Sequence, residues 1–283
     1  MASALELLDK GFEELLDDTG GGAPQPGSEA QAELDNAETG TDGLHWGPDP
    51  VSTTHVLAQI RLAAASDQVR GTGKLAASSE GGLFSPWAPG RAALEAAGVA
   101  YWLLEPNIGA RERVARGLTD LMRSIRGARR FASKAGVDFD FDARFDDAAT
   151  TAAHLGLTIT GEGWGRYVGS DDLPSKTELV EAISGPDNEG IYSIFSGFAH
   201  GEAWALFETL RYSPDVKDPS GLGRTLRQPS LPMSYFAYLT AMTASGFGRV
   251  VERAGAYYGW SSSRWQKRSD ESAALLRKWA RDS

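Results

Sequence analysis

The chain has 283 residues and no cysteine, which leaves room for a large core and excludes disulfides, thiolate metal sites and a cysteine nucleophile. Its net charge of −10 is unevenly placed: residues 1–50 hold 12 Asp/Glu and one lysine, while the other 233 residues hold 27 Lys/Arg and 26 Asp/Glu. That nearly neutral body lacks the basic excess of a nucleic-acid binder.

The first residues are acidic and lack the basic-then-apolar order of a secretory signal, so a cytoplasmic address is expected. Leu5, Leu8, Phe12, Leu15 and Leu16 recur at helical spacing with acids between them, predicting a short amphipathic helix. Thr19 to Gly43 carries glycines, prolines and acids without apolar periodicity and is expected to be a disordered tether. The helix on it would be either a docking peptide or a piece that folds back on the body. Residues 1–50 are thus read as an acidic helix with a flexible leader, contributing little to stability, and 51–283 as a helical bundle domain.

Val56, Leu57, Ile60, Leu62 and Val69 suit a first body helix from Ser52 to about Gly71, with a loop following to Gly90. Arg91 to Glu105 reads as a nearly all-apolar helix central to the bundle, stopped by Pro106. Ala110 to Lys134 is long and amphipathic, and seven arginines decorate it. The aspartates that follow, among them Asp138, Asp140, Asp142 and Asp146, would neutralise that helix or cap the next. Residues 157–168 are the only β-like passage, and Ser175 with Glu178 forms a capping-box pattern. Helices are expected over Glu189–Tyr212, Met233–Tyr258 and Arg264–Asp282. The charge-free run Gln228–Gly248 is long enough to span a membrane, but its prolines, glycines, serines and threonines favour a buried bundle helix, and no membrane contact is expected. The fold class is all-α, a helical bundle.

No phosphate loop, His-Glu-x-x-His or Gly-x-Ser-x-Gly occurs, and His45, His55, His154 and His200 are scattered, so neither a metal nor another cofactor is expected. One stripe stands out. Glu189, Tyr192, Ser196 and His200 share a helix face opposite Ile191, Ile194, Phe195, Phe198 and Leu206, placing a hydroxyl, an imidazole and a carboxylate within reach of one another. The same stripe would serve equally as a hydrogen-bonded seam between helices. Glu95 sits in an apolar helix one turn after Arg91 and needs a partner: Arg91 itself, His200 or Tyr192. Arg116, Arg123, Arg126 and Arg130 could meet RNA phosphates, or form a solvated face.

Tyr192, Ser196, His200 and Gly201, following the Arg91–Glu95 helix, resemble a group of helical proteins from high-GC actinobacteria and their phages. More distantly, the region from Val51 to Asp282 is similar to the HEPN superfamily of helical bundles. That resemblance implies a metal-independent ribonuclease site in which an Arg-x(4–6)-His pair acts on a phosphate. Here the positions that would hold the arginine are Ser193, Ile194 and Phe195. The resemblance therefore implies a non-catalytic HEPN-like module that binds a protein or nucleic-acid partner, with a homodimer among its options. The alternatives are a ribonuclease or toxin of a defence system, with Arg91 filling in, and a purely structural interaction protein.

Overall fold

The computed structural model describes residues 2–40, 43, 45–78, 84–136, 140–170, 172–185, 188, 190–205, 211–212, 216–217, 225–226 and 229–282. They form an all-α bundle. Its helices are α1 (Ala2–Asp18), α2 (Glu29–Thr39), α3 (Asp49–Ala77), α4 (Trp87–Leu103), α5 (Gly109–Ala135), α6 (Phe141–His154), α7 (Lys176–Ser184), α8 (Ile191–His200), α9 (Met233–Tyr258) and α10 (Ser263–Asp282). Two-residue strands pair antiparallel: β1 (Ile159–Thr160) with β2 (Tyr167–Val168), β3 (Arg211–Tyr212) with β6 (Pro229–Ser230), and β4 (Val216–Lys217) with β5 (Thr225–Leu226). No helix among the described residues is long and apolar enough to cross a membrane.

The main core lies around α4, whose Leu94, Ala97, Ala100 and Leu103 are buried together with residues of α1, α3, α7, α8, α9 and α10. Gly98 explains how α7 can cross α4 so closely: a Cβ there would sit 2.9 Å from the Leu179 backbone oxygen. A second, smaller core joins α5 to α6 through Met122, Ile125, Phe145 and Ala152. The β1–β2 hairpin docks on it, because Thr119 both donates to the Val168 carbonyl (3.0 Å) and accepts from its N–H (2.9 Å).

Several expectations change. The helix drawn through 189–212 stops at His200, where Gly201 takes the left-handed conformation (φ 66°) and caps it. Glu189 and Leu206, which belonged to the expected stripe and apolar face, lie outside the described residues, as does Asp138. On α3, Val56 and Ile60, two of the apolar residues whose spacing suggested this helix, are 49% and 58% exposed. The buried stripe is Val51, Thr54, His55, Ala58, Leu62, Ala65 and Val69, which leaves those two on the opposite side. Asp140 does cap α6, accepting from the Ala143 N–H at 3.0 Å, and Asp142 pairs with Arg129 at 3.4 Å.

The largest correction concerns the N-terminus, where residues 19–40 of the expected 19–43 tether are not disordered. Ser28 caps α2 by accepting from the Gln31 N–H, and Gly40 closes it with φ 71°. The approach to α2 is tied down as well, because Gln25 N donates to the Tyr258 carbonyl at 2.8 Å and Trp260 Nε1 to the Ala23 carbonyl at 3.0 Å. Of the two open roles for the first helix, folding back is the one realised: Leu5, Leu8, Phe12 and Leu15 are buried in the main core. The acids between them meet arginines of the body, Asp9 with Arg70 (2.7 Å), Glu14 with Arg268 (3.2 Å) and Asp18 with Arg264.

A buried arginine holds α2 in place. Arg113 of α5 is only 1% exposed and donates to Glu33 (3.1 Å) and Glu29 (2.9 Å) of α2, and to the Leu103 (2.6 Å) and Glu105 (3.1 Å) carbonyls that end α4. Its guanidinium lies 4.0 Å over the Tyr257 ring of α9. The Tyr257 hydroxyl gives its one proton to Glu33 (2.7 Å), so His55 of α3, 2.7 Å from that hydroxyl, must present Nε2–H to it. Burial, then the nearby Arg113 charge, lowers the His55 pKa to about 4, and burial pushes the Tyr257 pKa up.

Two outcomes follow. Glu33→Ala leaves Arg113 with Glu29 and two carbonyls and removes the acceptor of the Tyr257 hydroxyl, and should lower the unfolding free energy by about 1.5–3 kcal/mol in urea titrations; a loss under about 0.5 kcal/mol would mean that α2 is not anchored through this contact. His55 titrates near 6.5 when unfolded and about 4 when folded, so its contribution is complete above pH 6.5 and is lost as pH falls towards 4. Stability should therefore decline by about 3 kcal/mol across that window, and His55→Gln should remove that part of the slope.

A candidate polar site between α4, α7 and α8

Three helices bring a charged cluster together at the edge of the main core. Arg91 and Glu95 lie one turn apart on α4, and their side chains pair at 2.7 Å (Nε to Oε1). The order is base before acid, the less favourable one on an isolated helix, so α7 and α8 supply the remaining reasons for its geometry. From α8, Tyr192 accepts from Arg91 Nη2 at 2.7 Å and donates to Glu95 Oε1 at 3.2 Å. His200, at the exposed end of the same helix, stands with Nε2 2.5 Å from Arg91 Nη1. From α7, Lys176 pairs with the other Glu95 oxygen. Here the capping box is decisive: Ser175 accepts from the Glu178 N–H while Glu178 accepts from the Ser175 N–H, which starts α7 at Lys176 and points that residue towards α4.

All three nitrogen positions of the Arg91 guanidinium therefore have a partner. Burial disfavours its charge, but Glu95 and Tyr192 more than offset this, and its pKa is raised above the ordinary arginine value. Since arginine can only donate, the contact with His200 requires an unprotonated Nε2, and that nitrogen's lone pair is then occupied. Of the three candidate partners for Glu95, Arg91 and Tyr192 bond it directly, whereas His200 reaches it only through Arg91. Ser196, between Tyr192 and His200 on α8, is half-buried, and its hydroxyl bonds no described residue. Glu95 and Lys176 also line a cleft of about 290 Å³ shared with Arg123 and with the Arg61–Asp120 pair of α3 and α5.

The four arginines singled out on α5 are placed differently from a phosphate-binding face. Arg116 is buried, bonding Glu105 (2.5 Å), Glu112 (3.1 Å) and the Trp102 carbonyl (2.8 Å). Arg123 donates to the Leu173 carbonyl (2.5 Å) and Arg126 to the Trp164 carbonyl (2.8 Å), so both hold neighbouring loops. Arg130 is exposed and forms no ion pair among the described residues. Lys176 was missed in the sequence because nothing local says which helix its own will cross. Arg113 was missed because it looks like one of seven surface arginines.

No protein-family model matches the chain, no curated protein matches its sequence, and no solved structure matches it significantly.

Removing Arg91 or Glu95 should each cost about 1.5–3 kcal/mol of stability, the range for a hydrogen bond to a charged group. The Arg91→Ala/Glu95→Ala double variant should cost less than the sum by at least about 0.5 kcal/mol, because each single change strands the other residue's partners. Additive losses in denaturant melts would show that the cluster is not one unit.

Proposed function

We propose that the chain is a HEPN-like helical module that acts by binding a protein partner and does not catalyse a reaction. The observation that carries this reading is the engagement of all three Arg91 nitrogens by neighbouring side chains. A guanidinium whose three nitrogens hold Glu95, Tyr192 and His200 is a clasp between α4 and α8, and it keeps only the second N–H of each Nη for a transition-state phosphate. A general base needs a free lone pair, and the Arg91 contact occupies that of His200 Nε2. The inward arginines of α5 weigh against an extended nucleic acid, and the exposed Val56 and Ile60, one turn apart beside a hollow of about 250 Å³ with Phe12 and Trp260, favour a protein surface.

One observation favours the second reading, an active ribonuclease. Arg91 comes from another helix to within 2.5 Å of His200, in the place where the chain itself offers Ser193, Ile194 and Phe195. A phosphate displacing that contact would face both groups.

The two readings part in one assay. Labelled single-stranded RNA incubated with the full chain should stay intact, and any association should lack the steep salt dependence of phosphate contacts. Arg123→Ala and Arg126→Ala should lower stability and leave RNA association unchanged. Cleavage that disappears in His200→Ala, in a protein whose melting temperature is unaltered, would replace the binding reading with the ribonuclease one.

A further inference from the structure

Between α9 and α10 runs a groove of about 410 Å³ that the polar clasp does not touch. This volume falls within the roughly 300–1,000 Å³ of small-molecule sites. Met242 and Leu276 give it aliphatic walls, and Gly248 leaves it open, since a Cβ there would meet nothing within 4 Å.

Independent of that shape is a hydroxyl. Ser272 lines the groove at 1% exposure, and its Oγ is buried with no hydrogen-bond partner among the described residues. Burying such a group without a partner costs about 1–3 kcal/mol, and a ligand oxygen in the groove would remove that penalty. The rim sets the sign of the ligand: Arg249 and Arg277 line the groove against Glu252 alone. Arg249 donates from one nitrogen to the Ile183 carbonyl at 3.0 Å and its guanidinium lies against Gly185 after α7, so it adds charge to the rim while Arg277 is the cation that meets a ligand head.

We propose that this groove binds an anionic amphiphile, an acyl chain of moderate length bearing a carboxylate or phosphate head. The head oxygens accept from Ser272 and from the Arg277 guanidinium, with the Arg249 charge on the same rim, and the chain lies on Met242 and Leu276. A free fatty acid and a membrane phospholipid share this chemistry, and the test separates them.

Sodium dodecanoate, kept below its micellar concentration, is titrated into the full chain by calorimetry, with dodecyltrimethylammonium as the cation of equal chain length. Vesicles of anionic phosphatidylglycerol form a second arm. A Cβ at Gly248 meets nothing within 4 Å, so Gly248→Leu extends into the groove and replaces a glycine inside a helix, and its ligand-free melting temperature should hold or rise. Saturable one-to-one binding of dodecanoate is expected, at least about tenfold weaker in Gly248→Leu and in Arg277→Ala, with no binding of the cation. Ser272→Ala should melt higher than the wild type without ligand and bind more weakly. Binding to vesicles in place of free dodecanoate, lost in Gly248→Leu, would assign the acyl chain to a bilayer lipid. The proposal is overturned if neither probe binds, if Gly248→Leu and Arg277→Ala bind as the wild type does, or if the cation binds equally well.

Discussion

The arrangement of the N-terminal half depends on burying one guanidinium. Arg113 cannot shed its charge, and placing it in the interior is tolerable only if its donors meet anions or carbonyls. Glu29 and Glu33 from α2, two carbonyls from the end of α4 and the face of Tyr257 from α9 meet that requirement together. These partners come from three separate stretches of chain, so satisfying the arginine fixes α2 against α4, α5 and α9 at once. His55 extends the network to α3 through Tyr257.

The same logic accounts for the uneven charge along the chain. The acids of residues 1–50 are not a solvated tail. Asp9, Glu14 and Asp18 on α1 and Glu29 and Glu33 on α2 take arginines from α3, α5 and α10. The near-neutral body thus supplies arginine partners to several acids of the leader, while the chain as a whole keeps its net charge of −10. Most of the exposed pairs contribute little each; their effect is to select how α1 and α10 lie on each other, while Leu5, Leu8 and Phe12 supply the burial.

The polar clasp at Arg91 repeats the pattern at the edge of the core. Glu95 accepts from Arg91, Tyr192 and Lys176, so three helices share one carboxylate. Such sharing makes the group a joint, with His200 at its solvent end. Around the whole molecule, polar residues that look like surface decoration act as ties between helices, and this is why a chain with short, weak local signals still forms a connected bundle.

Local rules determined a good deal about this protein. The capping box at Ser175 and Glu178, the limits of α9, the long amphipathic α5 and the β-like character of the passage that forms β1 and β2 were all legible, because each depends on residues within a turn or two of one another. The pairing of Arg91 with Glu95, four residues apart on α4, was legible for the same reason. What the residues could not reveal locally was partnership across the chain. The segment 19–40 is poor in apolar residues, and its order comes from Arg113, some 80 positions away from Glu33, and from Tyr258 and Trp260. Similarly, α5 displays seven arginines of one chemical type, and only packing decides that Arg113 and Arg116 are buried while Arg130 faces solvent. Hydrophobic periodicity reports which face of a helix is inward; which charged side chain on that face finds a counter-charge is settled only when another helix brings it within hydrogen-bonding distance.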